Sequence, residues 1–138
     1  MALKGRKELN ARLQAVRQSF KPIGRKWADD YVRLGRPRIP VATGKTRRSL
    51  RRRHANMKRA TVAASYVTNF IDAGVKPHRI TAKTGGSLAF KANGRTVFAR
   101  SVFHRGHRAR PFKKRTADEA MRRTPMAHTL IDEWNRAA

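Results

Sequence analysis

Residues 8–34 read ELNARLQAVRQSFKPIGRKWADDYVRL, and this stretch decides the fold class because its apolar residues recur at steps of three and four. That spacing places them along one face of an α-helix, with Arg and Lys on the opposite face. The apolar positions are Leu9, Leu13, Val16, Phe20, Ile23, Trp27, Tyr31 and Leu34. Pro22 removes one backbone hydrogen bond and crowds the preceding turn, so we expect either one long helix kinked there or two helices. The stripe is interpreted as core or subunit interface.

The segment after this helix predicts a turn and then extended chain. Gly35 and the prolines that follow it end the helix. Thr43-Gly44 predicts a tight turn that leads into residues 46–53, with Leu50 as the apolar anchor of that segment. Residues 60–67 are rich in Thr, Val and small side chains, which is typical of a strand. The residues from Tyr66 to Ile71 then have the spacing of a helical turn.

Three further strand candidates occupy residues 79–82, 87–91 and 96–103. Asn93-Gly94 lies between the last two and is the strongest hairpin signal in the chain, because both residues tolerate the positive φ of a type I′ turn. Apolar and polar residues alternate on both sides of that turn. We therefore predict a β-meander that contains an extended hairpin from His78 to Phe103.

The last part of the chain predicts a loop and a helix. Residues 105–110 form the loop, and residues 114–136 the helix, with a break or bend at Thr124-Pro125. The predicted fold class is α+β: a long N-terminal helix packed on an antiparallel β-sheet with an extended hairpin, plus a C-terminal helix. We expect a single domain over residues 1–138, in which residues 46–103 supply the strands and the hairpin.

The charge of the chain is its most unusual property. Lys and Arg number 34 against eight Asp and Glu, which gives a net charge of +26. Such a chain repels copies of itself and attracts polyanions such as nucleic acid or acidic protein surfaces. Its hydrophobic fraction of 39%, with two Trp and six Phe, is too high for wholesale disorder. No signal peptide or membrane span is apparent, so we expect a soluble protein made in a cytoplasm.

The sequence contains few candidate residues for catalysis or metal binding. The chain has no cysteine, which excludes thiol catalysis and zinc fingers. His104 and His107 could suggest a metal site, but they have cationic neighbours and no carboxylate nearby. Asp72, before a turn, is interpreted as structural rather than catalytic. We expect no enzyme activity, no metal and no cofactor, and a cationic ribonuclease that uses His104 and His107 is the remaining enzymatic alternative.

Several landmarks, taken in order, resemble the tail-component family of long-tailed bacteriophages, which includes tail-completion or neck proteins and is loosely akin to the tail-completion protein Z of phage lambda. The opening helix at residues 7–13 is similar to the first helix of that family. The stretch IPVATGKTRRSL, residues 39–50, resembles its signature Pro-Val-Asp-Thr-Gly-x-Leu-Arg-x-Ser, with Ala42 and Thr46 as departures. The remaining landmarks are Ser65-Tyr66 through Gly74, Lys76-Pro77-His78, residues 88–90, 97–102, 104–106 and 108–112.

The resemblance implies a virion structural protein with no catalytic residues. It implies a homo-oligomer, most naturally a hexameric ring, at the head–tail junction of a virion assembled in the host bacterial cytoplasm. The neighbours would be a head-side connector or stopper protein and a tail terminator or tail tube protein. Genomic DNA in the channel would be bound non-specifically, and no membrane would be involved.

Two groups of residues are the candidate contacts on this interpretation. The candidate contacts to DNA or to an acidic partner are Arg47, Arg48, Arg51, Arg52, Arg53, Arg105, Arg108 and Arg110. The candidate subunit interface consists of Leu88, Phe90, Val97, Phe98, Phe103 and Phe112. The alternative function is a sequence-independent nucleic-acid-binding protein of nucleoid or ribosomal type, in which the charge itself is the function.

Overall fold

A computed structural model describes residues 5–56, 58–83 and 85–137. The chain divides into two compact units. The helical unit comprises Met1–Thr68 with Pro111–Ala138, and the hairpin unit comprises Asn69–Arg110. The α+β class predicted from the sequence is confirmed. The elements in chain order are α1 (Arg6–Gly35), a short 3-10 helix (Arg36–Arg38), α2 (Lys45–Ser49), β1 (Arg51–Ala55), β2 (Ala60–Ala63), α3 (Val67–Ala73), β3 (His78–Thr81), β4 (Leu88–Ala92), β5 (Arg95–Ala99), β6 (Ser101–His104), α4 (Lys113–Arg123) and α5 (Met126–Arg136).

Helix α1 organises the helical unit. It runs without interruption through Pro22, so the alternative of two separate helices is not realised. Its second half packs against the antiparallel pair of β1 and β2 and against α4, while α5 also lies along it. Gly24 makes the approach to β2 close, because a Cβ there would lie 3.1 Å from the Cβ of Ala60. Ile23 and Ala28 are buried, whereas Leu9 and Leu13 near the N-terminus are exposed.

The core of the helical unit joins residues that are far apart in the chain. Ile39 and Ala120 have no exposed surface, and Leu50 is 2% exposed, which confirms Leu50 as an anchor. Phe112 is 4% exposed and belongs to this core. Its assignment to a subunit interface is therefore wrong, because a side chain enclosed by its own unit offers almost no surface to a neighbour.

Two predicted segments are more finely divided than the sequence suggested. Residues 46–53 contain the end of α2 and then the start of β1, so the strand region begins at Arg51 and not at residue 46. The predicted C-terminal helix is divided into α4 and α5 at Thr124-Pro125, as expected, because Pro125 cannot continue the helix that precedes it.

The hairpin unit is built on one long hairpin whose strands are nested. β4 pairs with β5, and β3 pairs with β6, both antiparallel. The prediction of a meander is therefore wrong, because the neighbouring strands β3 and β4 do not pair. The predicted strand 96–103 is interrupted at Arg100, and its two halves, β5 and β6, pair with β4 and β3 respectively. The turn at the tip is confirmed, since Asn93 has a φ of 50° and Gly94 a φ of 77°.

The hairpin unit has little interior. Of the residues that the structure describes between 69 and 110, none is buried. Phe98 is 68% exposed and Phe103 is 62% exposed. An isolated two-stranded hairpin is marginally stable in water, since it has one layer and nothing to cover its apolar side chains.

Candidate anion-binding cleft and assembly surface

Two segments of the hairpin unit are locked together at the open end of the hairpin. The backbones of Val75 and His107 exchange hydrogen bonds of 3.0 and 2.9 Å, and the amide of Arg110 donates to the carbonyl oxygen of Ile71 at 2.9 Å. Both segments therefore have a fixed backbone although neither is part of a regular strand.

Two glycines make this close approach possible. Gly74 and Gly106 have φ values of 77° and 72°, which side-chain-bearing residues rarely adopt. A Cβ on Gly74 would lie 2.6 Å from the backbone nitrogen of Ala109. A Cβ on Gly106 would collide with the carbonyl oxygen of Val75 and lie 2.9 Å from the carbonyl carbon of Lys76. Only glycine fits at either position without moving the chain.

The two segments line an open cleft of about 530 Å³. Its polar side chains are those of Lys76, Arg105, His107 and Arg108, and we call it the basic cleft. The rest of its lining is glycine and small apolar residues, and no acidic residue of the described chain contributes to it. Two of the predicted contacts, Arg105 and Arg108, are thus brought together with Lys76 and His107, while Arg110 does not line the cleft.

The histidines lie in two different settings. The Nδ1 atom of His107 is 3.3 Å from the carbonyl oxygen of Arg108 and acts as the donor to it, which leaves Nε2 for another partner. His104 pairs across the hairpin with His78 at a ring-centroid distance of 5.1 Å, and its Nδ1 accepts from the amide of Gly106 at 3.0 Å. Within the residues described, no group of three or more His, Asp or Glu side chains is arranged to hold a metal ion.

The arginines between 47 and 53 do not form one surface. Arg47 is partly buried and donates from Nη2 to the carbonyl oxygen of Ile39 at 3.1 Å, so it braces the turn before α2. Arg52 forms an ion pair with Asp29 of α1. Arg48 is exposed but donates to the carbonyl oxygen of Thr43 at 3.3 Å. Arg51 and Arg53 are exposed, and Arg53 lies at the bulge of β1.

Other basic side chains hold the helical unit together, which the sequence analysis missed. Arg36 donates from Nε and Nη2 to the carbonyl oxygen of Leu50 at 3.2 and 3.1 Å. Arg38 donates to Thr116 at 2.8 Å and to Glu119 at 2.5 Å, both on α4. The hydrogen bond from Arg38 lowers the pKa of Glu119, with a further contribution from Arg123. These arginines tie the 3-10 helix to Leu50, the residue before β1, and to α4, so they are structural rather than partner contacts.

Asp30 anchors the junction between α4 and α5. It accepts from Arg33 at 2.6 Å and from the hydroxyl of Thr124 at 3.1 Å, and Lys26 lies 3.6 Å away. The hydrogen bond from Arg33 lowers the pKa of Asp30, against the opposing effect of partial burial. A carboxylate held ionised in this way is a structural anchor.

The predicted interface residues of the hairpin lie on both of its faces. Pairing places Leu88 opposite Ala99 and Phe90 opposite Val97, and these residues share one face. Phe98 lies opposite Ala89 on the other face. Phe103 pairs with Arg79 nearer the open end. Leu88 is half-buried, and the other four predicted hairpin residues are exposed, so their apolar surface is available to a partner.

Comparison with known proteins does not add a relative: no family model matches the chain, and no curated protein or solved structure shows significant similarity to it. None of the helices described combines the length and the apolar character required to span a bilayer.

Proposed function

We propose that this chain is a virion structural protein of a tailed bacteriophage, a neck or tail-completion ring subunit that joins the DNA-filled head to the tail. The single observation that carries the proposal is the hairpin unit, whose exposed apolar side chains lack a covering layer of their own. The ordered landmarks that resemble the tail-component family of long-tailed phages supply the identity of the assembly.

The hairpin supports an assembly role because its apolar surface needs a partner. Phe98 and Phe103 are each more than half exposed, and Ile80, Phe90 and Val97 add further apolar area. Soluble monomers rarely leave such surface open, and large exposed patches mark sites of association. Neighbouring copies on the two faces of the hairpin would bury these side chains and stabilise strands that have no second layer.

The charge sets a condition on that assembly. Copies that each carry +26 repel one another, so a ring of them needs negative charge nearby. DNA in the channel, or acidic faces of the head-side connector and of the tail terminator or tail tube, would supply it. We therefore expect the isolated chain to be monomeric at low salt and to assemble only on a preformed partner.

Deletion of the gene from the phage that carries it tests the proposal. We expect DNA-filled heads and separate tails to accumulate, because the proposed ring is what joins them. Normal infectious virions in the absence of the chain would overturn the proposal. Restoration of joined particles by the chain supplied in trans is the control for effects on neighbouring genes.

A sequence-independent nucleic-acid-binding protein of nucleoid or ribosomal type is the second candidate, and the net charge favours it. Binding that neutralises many phosphates weakens steeply with salt. On this alternative, tight duplex binding would occur without assembly partners, and phage particles would form normally without the chain. An affinity that hardly changes between low and moderate salt would exclude it.

A further inference from the structure

We infer that the basic cleft, formed by Lys76, Arg105, His107 and Arg108, binds a phosphate group of a nucleic-acid backbone. The inference concerns a defined site rather than the overall charge, and it rests on the proposed function only for the expectation that the nucleic acid is double-stranded DNA.

The backbone around the cleft is held in place by specific contacts. Val75 and His107 exchange both backbone hydrogen bonds, and two glycines permit an approach that no other residue allows. The side chains of Lys76, Arg105 and Arg108 therefore extend from a backbone that is fixed before any ligand arrives. A ligand that binds to a fixed site loses less free energy to ordering of the protein.

The charged side chains that line the cleft are all basic. A cleft of about 510 Å³ along α1 is lined by Lys21, Arg25 and Lys26, but also by Asp29 and Asp30. The basic cleft has cationic side chains and an imidazole without such acids among the residues described. Cations brought together repel one another, and an anion in the cleft would relieve that repulsion.

The hydrogen-bond donors of the cleft suit a phosphate group. Two guanidinium groups match the oxygens of a phosphate in a bidentate manner, and an ammonium group supplies a point charge. The Nε2 atom of His107 is left for a ligand because Nδ1 is taken by the carbonyl oxygen of Arg108. The chemistry thus fits a phosphodiester, and the binding is independent of sequence.

A polymer of phosphates fits better than a small phosphate compound. The cleft is open to solvent, so it does not enclose a small compound on all sides. The net charge of +26 supplies attraction to a polyanion over the remaining surface. The basic cleft then fixes the position of one phosphate while other basic residues contact its neighbours.

Fluorescence anisotropy with a labelled DNA duplex at several salt concentrations tests the inference with the full-length chain. The test variant is Lys76→Gln/Arg105→Gln/Arg108→Gln. The matched control is Lys7→Gln/Arg6→Gln/Arg17→Gln, which removes the same three charges from exposed positions of α1. Circular dichroism and thermal unfolding establish that both variants remain folded.

Since each phosphate contact contributes about 0.9 to the slope of log K against log salt, and the cleft holds one phosphate, we expect the test variant to reduce the magnitude of that slope by about 1. We expect the control variant to reduce it by clearly less. We expect Arg105→Lys/Arg108→Lys, which retains the charge, to bind at least about threefold more weakly than the parent chain because the guanidinium fork is lost. Equal losses in the test and control variants, with no effect of the Lys replacements, would overturn the inference.

A competitor identifies the source of the anion. We expect poly-glutamate, at matched ionic strength, to displace the duplex equally from the parent chain and from the test variant. Displacement by poly-glutamate that depends on the cleft would assign the cleft to an acidic protein and overturn the assignment to nucleic acid. Because binding is measured without phage particles, failure here leaves the assembly role to its own test.

Discussion

Gly106 and Val75 lie so close that a methyl group on the Cα of Gly106 would overlap the carbonyl oxygen of Val75. This contact fixes the geometry of the basic cleft, because Val75 also exchanges both backbone hydrogen bonds with His107, the residue after Gly106. A conformational requirement at one glycine thereby determines where the side chains of Arg105 and Arg108 can be.

The first prediction concerns Gly106→Ala. The replacement should open the contact to Val75 and expose the amides of Val75 and His107, which amide hydrogen exchange measures. Gly94→Ala is the control, because Gly94 has a similar φ of 77° but nothing within 4 Å of the added Cβ. Each replacement should cost about 1–2 kcal/mol for the left-handed backbone. Only Gly106→Ala should add the loss of the two hydrogen bonds, about 1–3 kcal/mol together. Equal protection of the two amides in both variants would contradict the account.

The second prediction separates structural from exposed arginines. Arg47→Met should lower the free energy of unfolding by about 1–2 kcal/mol, because the carbonyl oxygen of Ile39 loses its partner. Arg51→Gln/Arg53→Gln should change it by less than about 0.5 kcal/mol, since both side chains are exposed. Urea unfolding gives the stability, and duplex binding should weaken in the second variant. If Arg51→Gln/Arg53→Gln lowered the free energy of unfolding and Arg47→Met did not, the assignment of Arg47 as structural and of Arg51 and Arg53 as exposed contacts would be wrong.

The third prediction concerns acid stability. The pKa of Asp30 is lowered in the folded chain from its ordinary value of 3.8. A carboxyl group whose pKa is lower in the folded chain than in the unfolded chain stabilises the fold. This stabilisation is fully present at a pH above the pKa of the unfolded chain, and it is lost as the pH falls through the pKa of the folded chain. Asp30→Asn should therefore be less stable than the parent chain at neutral pH, and the difference should shrink as the pH falls below about 4.

Thermal unfolding between pH 2 and 7 measures that difference. Asp29→Asn is the matched control, because Asp29 is an exposed neighbour whose ion pair with Arg52 contributes little. A difference between Asp30→Asn and the parent chain that stays constant across the acid range would show that the charge of Asp30 is not what stabilises the α4–α5 junction.

The fourth prediction concerns the hairpin as an assembly surface. Phe98→Ser/Phe103→Ser should leave the unfolding midpoint of the chain nearly unchanged, because both rings are exposed. It should abolish the incorporation of the chain into particles, because the apolar surface that a neighbour covers is lost. Tyr66→Ser, at a residue 72% exposed in the helical unit, is the control and should be incorporated normally. Incorporation of the double variant at the parent level would rule out the hairpin as the contact.

Local patterns were sufficient for much of the fold. The apolar periodicity of residues 8–34 predicted α1, and Asn93-Gly94 predicted the hairpin tip, because both signals are carried by residues near one another in the chain. The pairing of β3 with β6 was not predicted, since alternation identifies a strand but not its partner. Phe112 was misassigned for a similar reason: an apolar residue beside a basic loop gives no sign of whether its own unit encloses it.

The candidate site was also predicted only where the signal is local in the sequence. Arg105 and Arg108 were predicted from their local density of charge, whereas Lys76 and His107 joined them only when the chain was folded and the segments around Val75 and Gly106 met. The structural roles of Arg36, Arg38 and Arg47 were missed because the amino-acid composition does not distinguish an arginine that binds within its own chain from one that is exposed. The hydrogen bonds of these three to backbone and side-chain oxygens give them their structural role.

The position of this chain in a reconstruction of the phage particle tests the central claim most directly. The account predicts a ring of copies between the head-side connector and the tail tube, with the hairpins covered by neighbouring subunits. A particle in which the head–tail junction contains no density for this chain would contradict it.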